Sequence, residues 1–115
     1  MIQWDMVGGR YMIISYSSNK LKKILTDPRL IKKYYSNDYQ KITNRLSEMK
    51  AANNLSEIPE CPPPRRHKLY GDLKDCWGID YSKNDRFIIR PVGEFDINDL
   101  SSICEIEIID LEDYH

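Results

Sequence analysis

Ile103-Cys104-Glu105-Ile106-Glu107-Ile108-Ile109-Asp110 is the stretch whose reading decides the fold. Apolar and polar residues alternate through most of it, which is the period of a half-buried strand. A strand of that kind belongs to a sheet with one face covered. The run leads into Asp113-Tyr114-His115, and a strand closing on a polar Tyr-His pair has no packing reason to do so. The one other histidine is His67, in His67-Lys68-Leu69-Tyr70-Gly71. Two histidines at strand ends, one of them beside basic residues, point to acid–base chemistry on a phosphate.

Further strands are expected at 67–70, 76–81 and 87–90, with a hairpin turn at Ser82-Lys83-Asn84-Asp85. Residues 91–102 are a longer acidic connection, read as a surface excursion. Towards the N-terminus, residues 11–16 read as a first strand and 19–25 as a short helix capped by Ser17 or Ser18. Asp27-Pro28 is a helix start, with Asp as N-cap and Pro at the first helical position; this helix runs to about residue 35. Ser36-Asn37-Asp38 interrupts it. A third helix over 39–52 places Tyr39, Ile42, Leu46 and Met49 on one face and Lys41, Arg45, Glu48 and Lys50 off it. Residues 53–66 carry Pro59, Pro62, Pro63 and Pro64, and the triple proline predicts a stiff extended linker. One strand, two or three helices and then a run of strands make an α+β chain: a small antiparallel-rich sheet with helices on one face.

The 115 residues suffice for a single domain with a modest core, and 41% hydrophobic with 30% charged residues is ordinary for a globular protein. No apolar run approaches the ~18 residues of a membrane span, and the first ten residues lack the pattern of a secretion signal, so a cytoplasmic location is expected. Cys61, Cys76 and Cys104 are odd in number and have no C-x-x-C spacing, which argues against a disulfide framework or a zinc site. Cys76 and Cys104 fall in expected strands and read as small core residues. The formal net charge of −1 is unevenly spread. Residues 1–61 hold ten Lys/Arg against six Asp/Glu, residues 62–90 seven against four, and residues 91–115 none against eight. The first two segments can attract a polyanion although the whole chain is slightly acidic.

His67-Lys-Leu-Tyr-Gly-Asp-Leu-Lys74, then Cys76-Trp-Gly-Ile-Asp80, then Asp85-Arg86-Phe-Ile-Ile89, then Asp113-Tyr114-His115, together resemble the HigB branch of the RelE/ParE toxin superfamily. The resemblance covers residues 12 to 115, and the stretch from Leu46 to Leu55 resembles that family's helix exit. It implies a RelE-like fold and the toxin of a type II toxin–antitoxin pair. It also implies a ribosome-dependent mRNA endoribonuclease, partnered by a small helix-turn-helix antitoxin. By position, His67, Arg86, Tyr114 and His115 match the family's catalytic set, supported by Asp113 and by the basic positions Lys68, Tyr70 and Lys74. The sequence departs from the family pattern at two positions. Tyr70 stands where the family commonly has lysine, and Asp75 where it has glycine, so the site is less basic. Residues 1–11 precede the family's usual start and are read as an extension or a mis-called start.

RNA cleavage through the 2′-OH needs a base, a group that stabilises the charged phosphorane, and an acid for the leaving 5′-oxygen. His67 and His115 fit the acid–base pair, and Arg86 fits the phosphate. Tyr114 fits a positioning or stacking role, and Asp113 can hold one tautomer of His115. No cofactor and no metal are expected. Each residue alone has a plainer reading: His67 as a capping residue, Arg86 as an exposed hairpin charge, Lys20, Lys22, Lys23, Lys32 and Lys33 as a solvated helix face. The alternative expectation is a degenerate RelE-fold module that binds its antitoxin and helps repress their operon; Tyr70 and Asp75 favour it. A gyrase poison is third, since it needs no pair of histidines.

Overall fold

The computed structural model describes residues 11–113. The reading of residues 1–11 as an extension falls almost wholly outside them, as do Tyr114 and His115. Strand β1 is Ile13–Tyr16. Helices α1 (Asn19–Leu25), α2 (Pro28–Tyr34) and α3 (Tyr39–Ala51) follow. Strands β2 (His67–Lys68), β3 (Trp77–Asp80), β4 (Asp85–Pro91) and β5 (Glu105–Asp113) complete the chain. The sheet order is β1-β5-β4-β3-β2. All pairings are antiparallel except β1 with β5, which is parallel. This is the expected α+β architecture, and no helix of the described residues is long and apolar enough to cross a membrane.

Local chemistry sets the helix boundaries. The Ser18 hydroxyl accepts from the Leu21 N–H and starts α1. The Asp27 carboxylate accepts from the Arg29 N–H, with Pro28 at the first helical position of α2. The same contacts, with the Arg29 guanidinium, hold the Asp27 carboxyl below the usual carboxylate range. A short 3-10 turn over Ser36–Asp38 separates α2 from α3.

The helices cover one face of the sheet. Ile24, Leu25, Ile31, Ile42, Leu46 and Met49 pack against Trp77, Ile79, Phe87, Ile89, Ile106 and Ile108. On the opposite, open face, a smaller cluster joins Leu69, Cys76 and Ile88 with the partly buried Leu73 and Ile109. The strand alternation therefore distributes side chains between a filled face and a mostly polar one. One irregularity changes the count: Ile89 pairs with Ile108 but Ile88 pairs with Asp110, so Ile109 is an extra residue in β5.

Three sequence expectations are corrected. Residues Pro62–Pro64 turn rather than extend: the Arg65 N–H reaches back to the Cys61 carbonyl at 3.2 Å, and the Arg66 N–H to that of Pro59 at 2.9 Å. Cys104 is exposed, because it precedes the first residue of β5 and points away from the core that Ile103 enters. Arg45, read as lying off the apolar stripe of α3, is buried nonetheless; its Nε donates to the Asp80 carbonyl at 2.6 Å and its Nη1 pairs with Glu48 at 2.7 Å. A buried guanidinium persists because carbonyl and carboxylate satisfy it.

Candidate active site

β2 is two residues long, yet it fixes the site. His67 lies opposite Gly78 of β3, on the open face. The His67 Nδ1 is 2.6 Å from the Arg65 carbonyl oxygen. A carbonyl only accepts, so Nδ1 carries the proton and Nε2 of the neutral ring presents a lone pair. That Nε2 is 3.4 Å from Nη1 of Arg86. The imidazole can lie against β3 because residue 78 has no side chain. A Cβ there would stand 2.7 Å from His67 Cε1, 2.9 Å from its Nε2 and 3.1 Å from Arg86 Cδ. Gly78 thus serves as the floor of the site.

Arg86 opens β4 and lies directly opposite Glu112 of β5. Its Nε and Nη2 donate to one carboxylate oxygen of Glu112 at 2.9 and 2.5 Å. The Ile109 bulge makes this pair. Without the extra residue, Leu111 would face Arg86 and no carboxylate would reach the guanidinium. Glu112 was not singled out in the sequence, and nothing short of the register could have revealed it.

The other positions separate. Lys68 alternates to the opposite side of β2, where it stands opposite Trp77. Its Nζ lies 4.8 Å from the Trp77 ring and 5.9 Å from the Tyr70 ring, and donates to the carbonyls of Leu69 and Lys74. Tyr70 is 80% exposed. Lys68 and Lys74 line a cleft of about 420 Å³ with Arg90, Phe95 and Ile97. Arg90 pairs with Glu107 across the strands, at the far end of β4 from Arg86, about 13 Å along the strand at ~3.3 Å per residue. So His67 and Arg86 meet, whereas Lys68, Tyr70 and Lys74 gather elsewhere. Strand alternation at His67-Lys68 is the sequence signal that foretells this parting. Asp113 ends β5 opposite Asp85.

A second cleft, of about 500 Å³, adjoins the His67 site through Arg65. Lys41, Arg45, Arg65 and Lys83 bring positive charge to its walls, against the single acid Asp80. The sequence reading gave no site role to Lys41, Arg65 and Lys83, which come from α3, the loop before β2 and the β3–β4 turn and are distant along the chain. What the arrangement can do is bind an anion along the cleft and present it to the His67 Nε2 beside a guanidinium.

No family model matches the chain, and no curated protein sequence does. Solved structures do. A YoeB/ParE toxin from Agrobacterium tumefaciens aligns with a TM-score of 0.55 at 13% identity, over 90% of this chain and 100% of that one. A chain of a YoeB-YefM complex from Staphylococcus aureus aligns with a TM-score of 0.49 at 15% identity, over 90% and 97%. At that identity the first likeness shows the fold alone, one shared with a YoeB/ParE toxin, and does not reach the HigB branch.

Proposed function

We propose that the chain is the toxin of a type II toxin–antitoxin pair, a ribosome-dependent mRNA endoribonuclease of HigB type working in the cytoplasm with a small helix-turn-helix antitoxin as partner. The observation that carries the reading is the approach of His67 Nε2 to Arg86 Nη1 at 3.4 Å on the open face. Its support is the YoeB/ParE fold and the basic cleft beside the site. In this reading His67, unprotonated at Nε2, takes the 2′-OH proton as the oxygen attacks the adjacent phosphorus. Arg86 binds the phosphate oxygens as charge develops. His115 gives a proton to the departing 5′-oxygen, Asp113 orients it, and Tyr114 stacks on or positions a base.

The parting of Lys68 and Lys74 from His67, and the hold of Glu112 on Arg86, favour a second reading: a binding module that captures its antitoxin and joins it in operon repression without cutting RNA. The deciding experiment is mRNA cleavage on translating ribosomes by the intact chain and by one truncated after Asp113. Cuts by the intact chain alone establish the nuclease and the role of Tyr114-His115. Absence of cuts from folded protein that still binds an antitoxin leaves the binding module.

A further inference from the structure

Asp80 and Arg65 do more than line a cleft. Asp80 is 5% exposed, and each of its polar groups grips a different neighbour. Its N–H donates to the Pro64 carbonyl at 2.7 Å, its carbonyl accepts from Arg45 Nε at 2.6 Å, and its carboxylate accepts from Arg65 Nε at 2.7 Å. Two of these three bonds hold the Pro64-Arg65 segment. Arg65 has φ +43°, a left-handed backbone that a residue with a side chain adopts only when its surroundings impose it. The carbonyl emerging from that strained residue is the one 2.6 Å from His67 Nδ1.

We propose that Asp80 and Arg65 are positioning residues: their partly buried ion pair holds the Arg65 carbonyl where it fixes the proton of His67 on Nδ1 and so keeps Nε2 available as a base. The inference rests on the nuclease reading for its value to catalysis, while the tautomer itself is a property of the folded chain. The chain of contacts is continuous. Arg45 on α3 anchors Asp80, Asp80 anchors the loop, the loop carbonyl sets the imidazole, and Gly78 lets the ring lie within reach. A histidine without such a partner exchanges its single proton between both nitrogens, and only a fraction of the molecules then offers Nε2 as a base.

The test uses the full chain labelled with ¹⁵N-histidine, with His67→Gln to assign the ring signals. The wild type is expected to give Nδ1-protonated His67 at a pH where the ring is neutral. Asp80→Ala and Arg65→Gly are expected to give a mixture of tautomers, with Arg65→Lys retaining most of the Nδ1–H form. In the ribosomal assay, both disrupting variants are expected to cut at least tenfold more slowly, with an altered pH profile, while Arg65→Lys, which keeps the charge of the cleft, is expected to cut at close to the wild-type rate. Two disrupting variants are used because Asp80→Ala removes a buried group; amide dispersion reports whether each is folded, and Arg65→Gly keeps the Asp80–Pro64 bond and relieves the backbone. A pure Nδ1–H tautomer with unchanged titration in either folded variant overturns the proposal. So does a mixed tautomer in the wild type. If instead the tautomers shift as expected but His67→Gln cuts mRNA at the wild-type rate, the positioning stands and the catalytic role of His67 falls.

Discussion

The two faces of this sheet follow different rules. On the helix-covered face, Ile79, Phe87, Ile89, Ile106 and Ile108 are fully or almost fully buried, and each is there because burial of apolar surface favours it. On the open face the same strands carry His67, Asp80, Arg86, Glu112, Arg90 and Glu107, held in opposite-charge or hydrogen-bonded pairs. Burial accounts for the first face completely. The second has no such account, since partly exposed ion pairs contribute at most about 1 kcal/mol each. A face that is kept polar and mutually satisfied without gain in stability is the place to look for chemistry.

Gly78 and Ile79 are adjacent in β3 and point to opposite faces, so they sharpen the contrast most directly. Ile79→Ala is expected to cost roughly 2–5 kcal/mol of unfolding free energy through the cavity it leaves. Urea titration checks this, and a loss below about 1 kcal/mol would mean that the covered face is not the stabilising one. Gly78→Ala is expected to do the reverse: modest change in the urea midpoint, but cleavage slowed roughly a hundredfold as the new methyl displaces the imidazole by something near 1 Å. Equal cleavage rates would break the assignment of Gly78 as the floor of the site. A smaller effect belongs to Glu112, which pairs with Arg86 and, in the nuclease reading, would compete with phosphate for it. Glu112→Gln is expected to tighten binding of a non-cleavable RNA about two- to fivefold, on the scale of a partly exposed pair; weaker binding would show that Glu112 holds Arg86 in its working position.

The smallest expected effect lies at high pH. Burial, and secondarily the Asp110 carboxylate, push the Tyr35 phenol above its ordinary pKa of 10.0, and burial does the same for Tyr16. The folded chain then binds these protons more tightly than the unfolded one. The contribution is fully present below the ordinary phenol range and is lost as pH rises through the raised values. Tyr35→Phe is therefore expected to flatten the loss of stability above about pH 10, the unperturbed phenol value. An alkaline limb of unchanged steepness would remove Tyr35 from that account.

Most of the framework was legible in the sequence. Period-two alternation marked β5, short apolar runs flanking the Ser82–Asp85 turn marked β3 and β4, and Asp27-Pro28 marked the start of α2 to the residue. The meeting of His67 with Arg86 was legible only through family resemblance, because 19 residues separate them and β3 lies between their strands. The partnership of Arg86 with Glu112 was not legible. It depends on one bulged residue, which shifts every later side chain of β5 by one place. The dispersal of Lys68 from His67 was available from strand alternation but was overridden by reading the basic residues as one cluster. Arg45 was hidden for a related reason: charge argued for solvent, while its partners, the Asp80 carbonyl and Glu48, emerge only when α3 packs on the sheet.

β5 lies between β1 and β4, yet it is the last strand of the described residues. Pairing it with β1 joins Ile13 to Glu105, across nearly the whole described length. The helices and the β3–β4 hairpin can form from neighbours in sequence, but the sheet stays in two pieces until this final strand arrives. Closing so long a loop carries its entropic cost before the contacts reward it, which makes β5 docking the natural slow step of folding. A ribosome that has not yet released residues 105–113 therefore holds a chain whose Arg86 has no Glu112 opposite it and whose β1 has no neighbour. The sheet, and the site on its open face, come into being only when the last strand is free to slot in.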